Sequence, residues 1–290
     1  MFEFLDTVFS EEVVYYFEEY IGNWGFYISI GLLAVEIILT AVKKKFSFQL
    51  LGDAVTNFAT LFMFLGIGLL VFAAYLTGFY WLYLNFSITQ LPINGWTILA
   101  CIVLADLAYY WEHRFMHRTG VGWATHTVHH SSPYFNISVA YRFGPLDGVM
   151  PFFFSAPLAM LGFNPIVVLF SEAFVQIYQT LLHTELVKKL PRPVEAIMNT
   201  PSHHRVHHGS NAEYIDKNYA GIFILWDRIF GTFAKEKAPV KYGLTRPINT
   251  INPIKVFFIG FVRLVQKSIK AKGFKNKLLY WIKPPGWTPN

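Results

Sequence analysis

From Ala54 to Ala105 the chain runs 52 residues without one Asp, Glu, Lys, Arg or His. A helix crosses a bilayer core with roughly 20 apolar residues, so this stretch is long enough for two crossings. The segment LPING (Leu91–Gly95) supplies a Pro and Gly turn between them. Trp24–Val42 carries Glu36 as its only charge and runs straight into Lys43, Lys44 and Lys45. From Gly148 to Thr184 the only charged side chain is Glu172, and GFNP (Gly162–Pro165) divides that stretch into two short helices. A buried helix of a soluble core fits none of these lengths. Composition agrees: hydrophobic residues make up 54%, charged residues 14%, and mean hydropathy is +0.37, whereas soluble domains carry about a quarter charged residues. Disorder is excluded by the 18% of aromatics. The lone Cys101 excludes an intrachain disulfide, a CxxC redox pair and a thiolate zinc ribbon.

Charge gives the expected topology. The triple lysine places the end of the first span in the cytoplasm under the positive-inside rule, and the acidic stretch before it outside. The reading is an all-α integral membrane protein, one domain over 1–290, with four to five transmembrane or re-entrant helices. Spans are expected near 24–42, 56–84 and 96–112, with a hairpin over 148–182. A cytoplasmic helical cap then carries residues 112–146 and everything after His183. The acidic start of the chain and the absence of a small-residue cleavage site argue against a signal peptide. The tail over 253–283, with IKVFFIGFVRLVQKSIK at its centre, reads as one basic amphipathic helix on anionic lipid, in preference to nucleic acid. No KDEL-type address ends the chain, and the membrane is a bacterial inner membrane or the endoplasmic reticulum.

All ten histidines fall into four clusters, each on the expected cytoplasmic side. They are His113 and His117 in HRFMH; His126, His129 and His130 in HTVHH; His183 in LLHTE; and His203, His204, His207 and His208 in SHHRVHH. Spacings of three and four put side chains on one face of a helix. Neutral imidazole is the commonest metal ligand, and nine or ten of them exceed what one ion takes, so two ions are expected. An all-nitrogen set suits iron, zinc, copper or nickel and disfavours calcium and magnesium. The zincin pattern is absent, since Arg114 and Thr127 stand where it needs Glu. No GxSxG elbow exists for a nucleophilic serine. A transporter would put ionisable groups near mid-membrane, whereas these clusters sit at the ends of spans.

With these residues in view, the chain resembles the fatty acid hydroxylase and sterol desaturase superfamily, and its alkylglycerol monooxygenase-like branch in particular. The likeness is carried by DLAYYWEHRFMH (Asp106–His117), WATHTVHHSS (Trp123–Ser132), HTE (His183–Glu185), TPSHHRVHHGSN (Thr200–Asn211) and DKNYAGIFILWDRIFGTF (Asp216–Phe233). It covers 106–233 in motif detail. Ala220 departs from the pattern, where a second glycine is expected, with consequences for packing and not for ligation. The resemblance implies a non-haem di-iron centre with ligands at His113, His117, His126, His129, His130, His204, His207 and His208, and with His183 as the ninth. A division of His113, His126, His129, His204 and His207 on one iron, and His117, His130, His183 and His208 on the other, is expected. His203, Asp106, Glu112, Glu185, Asp216 and Asp227 are candidates to support the ligands from behind; Asn136 and Asn218 adjoin the motifs without an assigned role. The implied activity is O2-dependent attack on a lipid C–H bond, giving an alcohol or a double bond, with ether cleavage for an alkylglycerol. No haem-binding donor segment is visible, so electrons are expected from a separate protein or from tetrahydrobiopterin. A membrane metal-binding or metal-transport protein without oxygenase activity is the alternative.

Overall fold

The computed structural model describes residues 5–289; Glu3, part of the acidic N-terminal stretch, and the terminal Asn290 lie outside them. The described chain is helical, with a single isolated bridge between Met198 and Phe223 as its only strand-like pairing. Two helices are long and apolar enough to cross a membrane: α1 (Glu11–Val42, 32 residues) and α2 (Phe48–Phe86, 39 residues). At 1.5 Å per residue they reach about 48 and 58 Å, so both extend past a hydrocarbon core of roughly 30 Å. Ser10 and Ser47 accept from the backbone N–H three residues on and start each helix. Their apolar side chains largely face outward. Leu69 and Leu70 are each 83% exposed, the inverse of a soluble core helix.

Within the LPING segment, Asn94 caps α3 (Gly95–Arg118) through a reciprocal capping box with Thr97. Thr119 ends α3 and caps the short α4 (Gly120–His126). Two 3-10 turns follow, at His129–Ser131 and Ile137–Tyr141. The expected hairpin consists of α5 (Met150–Met160) and α6 (Pro165–Thr180), joined where Gly162 takes φ +102°. A Cβ at Gly162 would lie 2.3 Å from the Thr89 carbonyl oxygen, so the turn needs glycine twice over. At about 16 and 24 Å, neither helix of the hairpin reaches the thickness of the core. Helices α3 and α6 pack together, α1 lies along α6, and α5 sits between α2 and α3. Phe79, Cys101, Ala105, Leu158, Val167 and Val175 form their shared core.

Three short helices, α7 (Arg192–Ile197), α8 (Pro201–His207) and α9 (Leu225–Ile229), build the cap. The tail departs from the expected single helix. It forms α10 (Pro253–Lys270) and α11 (Phe274–Ile282), broken where Gly273 takes φ +79°. Nor is the apolar side of α10 simply free for lipid: Val256, Phe257, Gly260 and Leu264 are buried against the protein, chiefly α4. A Cβ at Gly260 would lie 2.0 Å from the Ala124 carbonyl oxygen, so glycine permits this close approach. A second apolar stripe on α10, with Ile254, Phe258, Val265 and Ile269, remains exposed.

Candidate metal centre

Nine imidazoles converge from five elements where the cap meets the helix bundle. His113 and His117 come from the last turns of α3, His126 ends α4, and His129 and His130 lie on the following turn. His183 follows α6, while His204, His207 and His208 come from α8 and its cap. They form two groups, His113, His117, His126, His130 and His207 in one, and His129, His183, His204 and His208 in the other. Within each group one ring nitrogen per residue lies within 4.8 Å of all the others. The groups adjoin: the His130 and His208 rings stack at 4.4 Å.

This grouping corrects the division expected from the motifs. His113, His126 and His207 do share a group, but His117 and His130 join them, and His129 and His204 join His183 and His208. Residues four apart on a helix lie one above the other, and His113 with His117, and His204 with His208, each share a group. His207, three residues from His204, faces the other group.

The orientation of the rings fits a metal. His113 Nδ1 donates to the Tyr219 carbonyl at 2.9 Å, His183 Nδ1 to the Gln179 carbonyl at 2.9 Å, and His207 Nδ1 to the Lys217 carbonyl at 3.0 Å. Those bonds leave the Nε2 lone pairs free and fix the rings. The free atoms face one another: His113 and His126 Nε2 are 3.0 Å apart, His126 and His130 3.2 Å, His183 and His204 2.9 Å, and His129 and His183 3.2 Å. Two nitrogens bound at right angles, each at about 2.1 Å, would be roughly 3.0 Å apart. His117 Nε2 and His207 Nε2 are buried with no protein partner at all. Unpaired buried nitrogens are costly, and a cation satisfies them. Burial lowers the pKa of every one of the nine, with neighbouring imidazoles lowering most further; His183 falls to about 4. The rings are therefore neutral at pH 7, the form a metal binds.

His203 belongs to neither group. Its Nδ1 contacts Thr200 Oγ1 at 3.3 Å, its Nε2 lies 3.9 Å from Glu195, and its ring meets Phe233 edge-on. Asp216 lies 3.8 Å from His117 Nδ1 and holds Arg118 at 2.6 Å. Asp227 acts one step removed: it accepts from the Tyr219 and Ala220 N–H groups at 2.8 Å and so positions the carbonyl that holds His113. Asp106, Glu112 and Glu185 do not touch the histidines. Asp106 accepts from the Ile222 and Phe223 N–H groups and from the Trp226 indole, holding the cap on α3. Glu185 is exposed and accepts from the Tyr242 hydroxyl. Glu112 is buried on a different face of α3, about 100° round from His113.

Residues the motifs left without a role also build the site. Arg142, 1% exposed, donates through Nε to the Val128 carbonyl and Ser131 Oγ, and through Nη1 to Asp53 and Asn57 on α2. It clamps the turn bearing His129 and His130 onto the long apolar helix α2. Asn218 takes φ +56° and bonds the His203 and Ala234 carbonyls, shaping the loop that presents Tyr219. Asn136 caps the second 3-10 turn. Glu36, the lone charge of the first span, accepts from Ile137 N–H at 2.9 Å and Thr184 Oγ1 at 2.5 Å, fastening α1 to the cap. An arginine twelve residues beyond a histidine box has no signature in sequence; only its contacts identify it.

Two buried polyhistidine groups, each able to hold a metal ion, lie beside two helices long and apolar enough to cross a membrane. Residues 98–232 match the Fatty acid hydroxylase family. Over this segment, which holds every histidine described above, the chain is similar to that family. It is 42% identical over 261 residues to the alkylglycerol monooxygenase of Danio rerio, and 40% identical over 261 residues to that of Homo sapiens. Each alignment covers 90% of this chain and 58% of the relative, so the chain spans under two thirds of those proteins' length. A more distant relative, the lathosterol oxidase of Mus musculus, is 28% identical over 149 residues, 48% of this chain and 47% of the relative. No solved structure matches.

Proposed function

We propose that this chain is a membrane-embedded non-haem di-iron oxygenase of a single domain, acting on a lipid C–H bond, with an alkylglycerol as the best-supported substrate. The observation that carries the reading is the pair of imidazole groups with Nε2 atoms turned on one another. His113, His117, His126, His130 and His207 would hold one iron, and His129, His183, His204 and His208 the other. Bound iron would supply the activation of O2 for C–H oxidation. For an alkylglycerol the balance is one O2, two electrons and two protons in, with water and a hemiacetal out; the hemiacetal separates into an aldehyde and glycerol. A metal-transport protein would need ligands able to release the ion, and the carbonyl-locked, buried rings speak against that.

The chain's own groups would orient the reactants. An apolar cleft of about 170 Å³ opens between α1, α2 and α6, lined by Gly22, Phe26, Leu61, Phe143 and Ile177. It reaches Thr180, three residues before His183, and would admit an alkyl chain from the bilayer. On the cap, a polar cleft of about 530 Å³ is lined by Lys188, Lys189, Arg205, Glu236 and Tyr242. Tyr242 stacks on Phe135, whose ring meets those of His183, His204 and His208. This cleft is our candidate approach for a separate reductant, either tetrahydrobiopterin or a donor protein. Besides α1 and α2, α3 would cross the membrane and the α5–α6 hairpin would dip into it, leaving the cap in the cytoplasm. The exposed stripe of α10, bordered by Lys255, Lys267 and Lys270, would rest on anionic lipid.

Anaerobic loading with iron, reduction, and measurement of O2 uptake on adding 1-O-alkylglycerol tests the reading. Lipid-stimulated uptake with release of aldehyde is expected. Failure to consume O2 with any lipid sinks the oxygenase, and reversible iron release without O2 uptake would favour transport.

A further inference from the structure

The helix bundle contains polar groups that neither the metal centre nor the packing uses. Glu112 on α3 is 4% exposed, yet it makes no hydrogen bond and no ion pair with the protein. Its charged neighbours are other carboxylates, Glu172 of α6 foremost. Glu172 receives the Tyr75 hydroxyl of α2 at 3.0 and 3.2 Å and has Ser155 of α5 beside it. No lysine or arginine pairs with either glutamate among the described residues. Asp147, the other carboxylate in range, is already engaged by Thr125 Oγ1 at 2.8 Å and the Gly144 N–H at 2.6 Å.

A second feature points into the same space. Gln179 of α6 is 3% exposed, and its Nε2 has no hydrogen-bond partner. Its side chain neighbours the Tyr109 phenol of α3, and Tyr109 in turn lies in the field of Glu112. Tyr109 and Glu172 are half-buried and keep accessible surface. Unpaired acceptors and an unpaired amide donor are expensive where water is scarce. Four helices have nevertheless brought them together, with Glu112 one residue before His113 on α3 and Gln179 four residues before His183, which follows α6.

Resting on the lipid oxygenase reading, we infer that Glu112, Glu172 and Gln179, with Tyr75 and Tyr109, form the recognition site for the hydroxyl-bearing head of the lipid. Hydroxyl hydrogens would be donated to the glutamate oxygens, and the Gln179 N–H would be donated to a hydroxyl or ether oxygen. The Tyr109 ring lies 5.1 Å from that of His113, so a head held there would leave the adjoining carbons near the histidines and position a C–H bond by binding energy spent away from the reacting atom. A site built to bond hydroxyls discriminates against analogues that lack them, because its polar groups are then left unpaired.

Binding to the full-length chain in nanodiscs, without reductant, tests this by calorimetry with three probes: 1-O-hexadecylglycerol, hexadecyl methyl ether and hexadecylammonium. The wild type is expected to prefer the diol over the methyl ether by about tenfold or more in Kd. Glu112→Leu and Glu172→Leu should erase that preference and leave the methyl ether unchanged. Glu112→Gln, which keeps a carbonyl acceptor, should recover part of it. Tyr75→Phe, a change that preserves packing, should weaken the preference if the leucine variants do not fold. Full preference retained in both leucine variants, or in Tyr75→Phe where those cannot be made, overturns the site, as does no preference in the wild type. Tightest binding of the ammonium ion overturns the hydroxyl assignment in favour of a cationic head. Diol preference without lipid-stimulated O2 uptake defeats the oxygenase reading and spares the site; O2 uptake without diol preference does the reverse.

Discussion

His207 offers a buried Nε2 with no protein partner and a Nδ1 tied to the Lys217 carbonyl, and His130 Nε2 faces His126 across 3.2 Å. Replacement of either by Ala is expected to abolish turnover and lower bound iron, measured by metal analysis beside O2 uptake; full iron content and activity would refute their roles as ligands. Asp227→Ala, which frees the Tyr219 carbonyl behind His113, should cost about tenfold to a hundredfold in iron affinity, the range for groups one step behind a ligand. Protonation gives a further prediction. The pKa of His183 and that of His203 both fall to about 4, burial being the main cause, against an ordinary value near 6.5. Between those values the unfolded chain binds protons that the folded chain refuses, so stability decreases as pH falls through that window and is fully present above it. Thermal melts of metal-free protein from pH 7 to pH 4.5 should show a falling Tm, and a flat profile would count against neutral, buried rings. His203 illustrates what spacing cannot say: four histidines crowd SHHRVHH, and only the fold turns one of them away from the metal groups.

At the scale of elements, most boundaries follow local rules. Ser10, Ser47, Asn94, Thr119 and Asn164 each start a helix where sequence puts a good cap, and GFNP breaks the hairpin where its glycine and proline demand. The tail misled because periodicity reveals an apolar face without revealing what covers it. The inner stripe of α10 packs on α4, and a different stripe faces outward. Should that outer stripe lie on lipid, proteoliposomes with anionic headgroups will protect Lys255–Lys270 from trypsin better than zwitterionic ones; equal cleavage would exclude the contact. Between elements, Arg142 ties α2 to the histidine turn through Asp53. Arg142→Met leaves the buried Asp53 without its cationic partner, a loss expected to destabilise by about 3–5 kcal/mol, visible as a lowered Tm together with weakened iron binding.

The whole molecule hangs a polar, histidine-lined cap on apolar helices, and its direction in the membrane is open to a direct check. The native Cys101 is buried, so cysteines introduced at exposed Glu12→Cys and Glu213→Cys can be labelled separately with a membrane-impermeant maleimide in oriented vesicles. Labelling of Glu213→Cys from the cytoplasmic side, and of Glu12→Cys from the other, is expected; both on one side would overturn the topology. Sequence alone determined that the chain is helical, membrane-bound and rich in metal-competent imidazoles, because hydropathy and residue spacing are one-dimensional properties that local chemistry can read. Tertiary structure decided which imidazoles share a point, which carboxylates support them and which stand unpaired in the bundle. Those outcomes depend on the facing of side chains from helices far apart in the chain, where 100° of rotation separates Glu112 from His113 and so divides a candidate head-group contact from a candidate metal ligand.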